Sequence, residues 1–264
     1  MATTDFTAPI DVTLVGGPTA IIDYAGLRIV VDPTFDPPAS YGPEVVGAPV
    51  TLVRNVAPAF APDALGEVHV VLVTHDHHDH LDYSGRALAA SAAATFTTEQ
   101  VARSIPGAQG MSQWQTHTVK SPDGREVSIT AVPAIHGPES HREALGPVIG
   151  FVISSPGDRT IYVSGDNASI EPVREVAERF PDIAVALLFA GGPSFEVFDG
   201  AYLAFSDEMA VAAAEILENA MIFPIHADSW EHFSQTAQSM KQLATDKGIG
   251  DRVIALTPGQ LATV

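Results

Sequence analysis

The sequence predicts an α/β fold in which packed sheets are flanked by helices. Three observations carry that reading. Short apolar, β-branched runs recur along the chain and read as strands. Each half opens on a group of such runs, with helix-like segments following. Polar, chemistry-bearing residues gather where the apolar runs end, the edge at which such folds place function.

The elements follow in order. Asp11–Val15, Ala20–Tyr24 and Leu27–Val31 read as strands, with Ala25-Gly26 turning the second into the third. Asp32-Pro33 ends the third strand. Residues 33–62 are rich in Pro, Gly and Ala, and such a stretch is either a lid or pocket wall or a plain surface excursion. Val68–Val73 reads as a buried strand. Asp82 then caps a helix predicted through Ala94, and Thr98–Ile105 forms a short second helix. A strand over Val127–Ile135 follows the Asp123-Gly124 turn. Pro147–Ser155 and Thr160–Val163 make a hairpin around Pro156-Gly157-Asp158. Glu171–Phe180 reads helical, with Pro172 in its first turn. Ile183–Phe189 is a buried strand. Ser206 caps a helix to Ala220, with Asp207 and Glu208 complementing its dipole. A strand over Met221–Ile225, a helix over Glu231–Lys247 and a final strand over Arg252–Leu256 complete the chain.

The chemistry concentrates in Thr74-His75-Asp76-His77-His78-Asp79-His80-Leu81-Asp82, which holds four of the chain's ten histidines. It sits where a core strand opens into a loop. Imidazoles and carboxylates in such a place suit a divalent transition metal, whereas a solvated turn has no need of four imidazoles. Residues two apart in an extended segment point the same way, so His75 and His77 can grip one ion. Asp79 and His80 fall past the bend and can face a second.

Composition bounds the alternatives. A chain of 264 residues with 46% hydrophobic content is globular and is expected to form a single domain over 1–264. No apolar run approaches the roughly 18 residues of a membrane span. Met1-Ala2-Thr3-Thr4-Asp5 has neither the basic nor the apolar region of a signal peptide, which points to the cytoplasm. Cysteine is absent, so disulfides and thiolate ligands are excluded. Thirteen basic against 32 acidic residues give a formal charge of −19, and no Lys/Arg stripe exists to track phosphates. Nucleic acid is therefore a poor substrate. The acidity serves solubility or halotolerance equally well, and bound cations would reverse the field locally for a small anion.

His75-x-His77-x-Asp79-His80 after an apolar strand resembles the signature of the metallo-β-lactamase-fold hydrolases. That resemblance implies an αββα sandwich of four layers. It also implies three further ligands at strand ends. Each has a match here: His136 after Val127–Ile135, Asp166 after Thr160–Gly165, and His226 after Met221–Ile225. The closest likeness is to the subgroup of the ascorbate-phosphate lactonase and related phosphodiesterase-like enzymes.

Carried over residue by residue, the resemblance implies one ion on His75, His77 and His136, and a second on Asp79, His80 and His226. Asp166 bridges them, and Asp79 and Asp166 are thereby catalytic. The ions would be zinc first, with manganese or iron also accepted by N/O ligands. Two such cations about 3.5–4 Å apart hold a shared hydroxide that attacks a lactone, ester or phosphoester of a small molecule. The competing classes are an iron-dependent oxidoreductase of the same fold and a non-catalytic metal-binding relative. Known diiron members resemble H-x-E-x-D, with a carboxylate where this chain has His77.

Residues around the ligands fall into two groups. Asp32 either orients a ligand histidine or simply ends its strand, and Thr74 can act similarly through its hydroxyl. His78 points away from the ions. His232, six residues past His226, reads as lying in a first helical turn. It is either a proton donor near the site or a histidine packed beside Trp230. Glu139, His141, Phe195, Phe198, Tyr202, Trp230 and Phe233 are pocket or core residues. His69 and His117 read as structural.

Overall fold

The computed structural model describes residues 9–264, so the segment read above for a leader lies outside the described residues. Strands β1 (Asp11–Gly16), β2 (Thr19–Tyr24) and β3 (Leu27–Val31) form the expected meander. Residues 33–62 have structure of their own: β4 (Ala39–Tyr41), α1 (Pro43–Val46) and β5 (Leu52–Arg54), with β4 and β5 paired as a separate ribbon. Next come β6 (Val70–Leu72), α2 (Tyr83–Ser91), β7 (Ala94–Thr98), α3 (Glu99–Ala102), β8 (Gln109–Met111), β9 (Thr116–Lys120) and β10 (Glu126–Pro133). The second half contains α4 (Arg142–Leu145), β11 (Ile149–Ser154), β12 (Thr160–Val163), α5 (Glu171–Arg179) and β13 (Ile183–Phe189). It ends with α6 (Asp207–Ile216), β14 (Met221–Ile225), α7 (Ala237–Asp246) and β15 (Leu261–Thr263).

Seven strands make one mixed sheet, in the order β15-β1-β2-β3-β6-β7-β8. Six make the other, in the order β14-β13-β12-β11-β10-β9. The inner faces meet in one core, where Leu14, Ile29, Leu72 and Phe96 pack with Ile129, Phe151, Leu187 and Phe223. Each such buried side chain contributes about 1.5–3 kcal/mol relative to exposure. On the outer face of the six-stranded sheet, Val173, Val176, Ala213 and Met240 of α5, α6 and α7 cover Tyr162 and Leu188. On the other outer face, Ala89 and Val101 of α2 and α3 cover Val30 and Val71. The architecture is therefore the helix–sheet–sheet–helix sandwich.

Four elements depart from the sequence reading as follows, and the short helix expected over Thr98–Ile105 also ends early, at Ala102. The helix expected through Ala94 stops at Ser91, because Ala94–Thr98 pairs in parallel with β6 and places Phe96 in the core. Sheet packing here overrides alanine's helix propensity. The helix expected to Ala220 stops at Ile216. There Arg252 takes the orphan carbonyls, donating from Nη2 to Ala214 and from Nη1 to Leu217 and Ala220. The helix expected from Glu231 starts at Ala237, where Thr236 and Ser239 form a capping box. Lastly, Arg252–Leu256 is not a strand. Val253 makes only an isolated bridge to Ile222, and the last strand is Leu261–Thr263 against β1. Strands β8 and β9 had no sequence signal strong enough to name. No helix among the described residues is long and apolar enough to cross a membrane.

Candidate metal centre

Topology brings the predicted ligands to one edge. β3 and β6 run parallel, as do β12, β13 and β14, and β10 is aligned with β12 through the antiparallel β11. The chain therefore leaves β6, β10, β12 and β14 at the same edge, towards His75–His80, His136, Asp166 and His226. Phe189, ending β13, supplies an apolar floor: His80 stacks on it at 5.7 Å and His226 lies 5.3 Å away. Gly191 lets the next segment approach closely, since a Cβ there would lie 2.1 Å from the His226 carbonyl oxygen.

Asp32 holds the metal loop. It accepts from the Thr74 backbone N–H and hydroxyl at 2.7 Å each, and from His80 Nδ1 at 2.8 Å. The Thr74 hydroxyl proton is thus committed to Asp32, so its oxygen accepts from His75 Nδ1 at 3.0 Å. His136 donates from Nδ1 to the Leu203 carbonyl at 2.6 Å. Each of these bonds fixes a tautomer and turns the other ring nitrogen, Nε2, towards the site. Asp32 and His226 adopt φ of +40° and +55°. Such conformations are costly for non-glycine residues and are typical of functional sites.

Three nitrogens then converge. His77 Nδ1 lies 3.0 Å from His75 Nε2 and 3.2 Å from His136 Nε2. A tetrahedral ion with nitrogens at about 2.0–2.1 Å holds its ligands about 3.3–3.4 Å apart, so the spacing fits a cation. Asp166 lies between this trio and the other residues. Its Oδ2 is 4.0 Å from His75 Nε2 and 3.5 Å from His80 Nε2, and its Oδ1 is 3.3 Å from His226 Nδ1. Asp79 Oδ2 lies 3.5 Å from His226 Nε2 and 3.8 Å from His80 Nε2. Three groups could hold an ion among the described residues: His75, His77 and His136; His75, His80 and Asp166; and Asp79, His226 and His232. All seven predicted ligands belong to at least one of them. His80 Nε2, both nitrogens of His226, Asp166 Oδ1 and His232 Nδ1 are buried without hydrogen-bond partners. Buried polar atoms are rarely left so, and here they are the donor set a transition metal takes.

The protonation pattern agrees. Burial, reinforced by His136, pushes His77 down to about 4. Burial and then His80, His77 and His136 hold His75 well below the usual imidazole value. Both rings are neutral at neutral pH, the form that ligates. Burial would raise Asp79 and Asp166, but the surrounding imidazoles more than offset it, and both stay well below the ordinary carboxylate range. Burial likewise opposes charge on His80, yet Asp166 and Asp79 raise it well above the usual imidazole value. The two buried carboxylates thus call for positive charge, which within the chain falls on His80 while His75 and His77 stay neutral.

The remaining predicted residues sort clearly. His232 Nε2 lies 3.0 Å from Asp79 Oδ2. It does not sit in a helical turn, because α7 begins only at Ala237; a loop carries it, stacked on Phe195 at 5.4 Å. Its membership of a metal-competent group was not foreseen, although its spacing from His226 was the available signal. His78 is off the cluster, 4.0 Å from the Tyr41 ring. Trp230 is buried with Tyr41 and Leu52, and Phe233 packs on His226 at 4.4 Å. Phe195 and Phe198 face the centre across a small cavity, while Tyr202 is exposed and does not line it. Glu139 and His141 lie on an outer turn, where His141 pairs with Asp199 at 2.8 Å. His69 accepts from the Arg28 N–H, and His117 packs on Phe96. Sequence reasoning missed Arg54, Asp36 and the Leu203 carbonyl, which act through distant contacts that no local pattern marks.

The fold and site define the class: the chain belongs to the beta-lactamase superfamily, whose family model, described as "Beta-lactamase superfamily domain", matches residues 27–227. Within it, the chain belongs to the UPF0173 metal-dependent hydrolase family. A member from Pyrobaculum calidifontis is 30% identical over 227 residues, covering 84% of this chain and 85% of that protein. Two solved structures share the fold. A possible metal-dependent hydrolase from Veillonella parvula has a TM-score of 0.82 at 17% identity, covering 97% of this chain and 100% of that one. An isothiocyanate hydrolase from Delia radicum gut bacteria has a TM-score of 0.80 at 20% identity, covering 96% and 98%.

Proposed function

We propose that the protein is a binuclear metal-dependent hydrolase that cleaves a lactone, ester or phosphoester of a small molecule, with zinc the first choice of metal. The observation that supports this most is the meeting of two nitrogen sets at Asp166: the converging nitrogens of His75, His77 and His136, and the partnerless buried nitrogens of His80 and His226. His75, His77 and His136 would hold one ion, and Asp79, His80 and His226 the other, with Asp166 between them. Two ions so held would supply an acidified water and an electrophilic pull on the oxygen under attack. The chain's own contributions are separate. Asp32, Thr74 and the Leu203 carbonyl set the ring orientations. Phe189 and Phe233 exclude water beneath the site. The test is metal analysis of protein purified without chelator, followed by a panel of lactones, aryl esters, phosphodiesters and isothiocyanates without oxygen or reductant. About two ions per chain and hydrolysis of at least one class are expected. Oxygen uptake coupled to turnover, with an iron-only site and no hydrolysis, would move the protein to the oxidoreductase reading.

His232 is assigned as the proton donor to the leaving group. Its Nε2 is anchored on Asp79, and its Nδ1 is buried without a partner. His232→Ala is expected to retain both ions and the fold, and to lose about 10²–10⁴-fold in kcat/KM on substrates with poor leaving groups. The loss should shrink on an activated aryl ester, whose leaving group needs no proton. The metal-competent group of Asp79, His226 and His232 favours a second reading, in which His232 is a ligand. Loss of one ion from the variant, with equal losses on all substrates, would establish that reading instead.

The formal charge of −19 argues against polyanionic substrates. No binding to duplex DNA or RNA is expected by fluorescence anisotropy at physiological salt. Tight binding with a steep salt slope would refute the charge argument.

A further inference from the structure

The metal centre opens into two different spaces. One is an inner chamber of about 40 Å³ that reaches His77, Asp79, His136, Asp166 and His232. Its ten other lining residues are all apolar, with Leu52, Leu145, Phe195, Phe198 and Leu203 the largest. No Lys, Arg, Ser, Thr, Asn or Gln lines it. Leu145, Phe198 and Leu203 are themselves buried in one packed cluster, so these walls are fixed. The other space is an open vestibule of about 630 Å³ on the far side of His77 and His136, which carries Gln100, Gln113 and Arg142. The two share Val46, Ala48, Ala144 and Leu145 as a partition.

On the hydrolase reading above, we propose that the substrate is a small uncharged carbonyl compound, a short-chain ester or lactone, whose apolar end fills the inner chamber. Three features support this. An ionised group in the chamber would lose its hydration and meet no hydrogen-bond donor on the apolar walls. Phosphomonoesters and carboxylated chains are therefore disfavoured at this end. A water molecule needs about 10–15 Å³ of such space, so the chamber takes about three water-sized groups. That length suits an alkyl chain of about three carbons. Finally, the polar part of the substrate has a separate exit past His77 and His136 into the vestibule, where the polar side chains stand.

The experiment uses metal-loaded full-length protein and a series of aryl or alkyl esters with chains of increasing length. Each methylene that enters the chamber should raise kcat/KM about fourfold, the equivalent of burying one CH₂. The rise should stop near three or four carbons and then reverse, as overpacking sets in. Binding of neutral, non-hydrolysable alkylamides by calorimetry should follow the same chain-length profile, and amides whose alkyl chain ends in a carboxylate should not. Phe198→Ala should shift both optima to longer chains; Phe198→Leu serves as the milder enlargement if the alanine variant does not fold. Flat chain-length profiles, an optimum unmoved by enlargement, or a preference for charged chains would overturn the proposal. Absence of any hydrolysis together with a normal amide profile would refute the hydrolase reading and leave the chamber assignment standing.

Discussion

Asp166→Ala is expected to fold, to bind about one divalent ion or fewer instead of about two, and to lose nearly all hydrolytic activity. The geometry sets that expectation. Asp166 reaches both ligand sets: its Oδ2 lies 4.0 Å from His75 Nε2 of one and 3.5 Å from His80 Nε2 of the other, and its Oδ1 lies 3.3 Å from His226 Nδ1. Removing it leaves a cluster of buried imidazoles with Asp79 as the remaining inward carboxylate, so a second cation becomes electrostatically costly. Asp32→Asn provides the scale. Asp32 touches no proposed ion, but it orients His80 and, through Thr74, His75. Losing such a supporting group typically costs about 10–100-fold in metal affinity. Asp166→Ala should exceed that in both affinity and rate. Metal content by mass spectrometry with chelator competition measures both variants. Full occupancy in Asp166→Ala would sink the bridging assignment.

The ligands were legible because sequence order and strand ends coincide. The cluster at 75–80 follows β6, and His136, Asp166 and His226 each follow a strand whose apolar run is plain. A short reach separates each strand end from its ligand, so knowing where the strand stops nearly places the side chain. The parts that were not legible depend on distant partners. Ala94 reads as the last residue of an alanine-rich helix until β6 and β8 are present to pair with Ala94–Thr98. Arg252 reads as the start of a strand, yet its guanidinium closes α6. The Glu231–Gln235 stretch reads as helix because nothing local shows that Ser234 and Gln235 donate their N–H groups to Gly191. That error displaced His232 from its loop, although its proximity to His226 still marked it. The 33–62 segment has no periodicity, because its order comes from contacts with α2 and Trp230 rather than from a pattern of its own.

Those contacts lead to the second large effect, which concerns stability. Arg54, at the end of β5, is buried at 1% exposure, and its guanidinium faces Asp82 at 3.6 Å and the Trp230 ring at 5.5 Å. Only its Nε finds a hydrogen bond, to the Val56 carbonyl, and both terminal nitrogens lack partners. Asp82 is better served: it accepts from Gly85 N–H at 2.7 Å, capping α2, and from Asp36 N–H at 2.6 Å. Burial pushes Asp82 up to about 6 and Arg54 downward, so desolvation outweighs the attraction between them. The pair therefore does little net stabilising, but breaking it on one side strands a charge. The two sides are not equivalent. Asp82→Ala removes the helix cap and leaves Arg54 uncompensated, with an expected cost of about 3–5 kcal/mol. Arg54→Met should cost clearly less, because Asp82 keeps two backbone donors. The double variant should be more stable than Asp82→Ala alone, since the stranded charge is gone. Urea unfolding, with metal held at the same excess throughout, gives all four corners of the cycle. If Asp82→Ala and the double variant unfold at the same midpoint, the uncompensated guanidinium is not what makes the loss large. The cap would then account for it, and Arg54 would merely fasten the β4–β5 ribbon that walls the inner chamber.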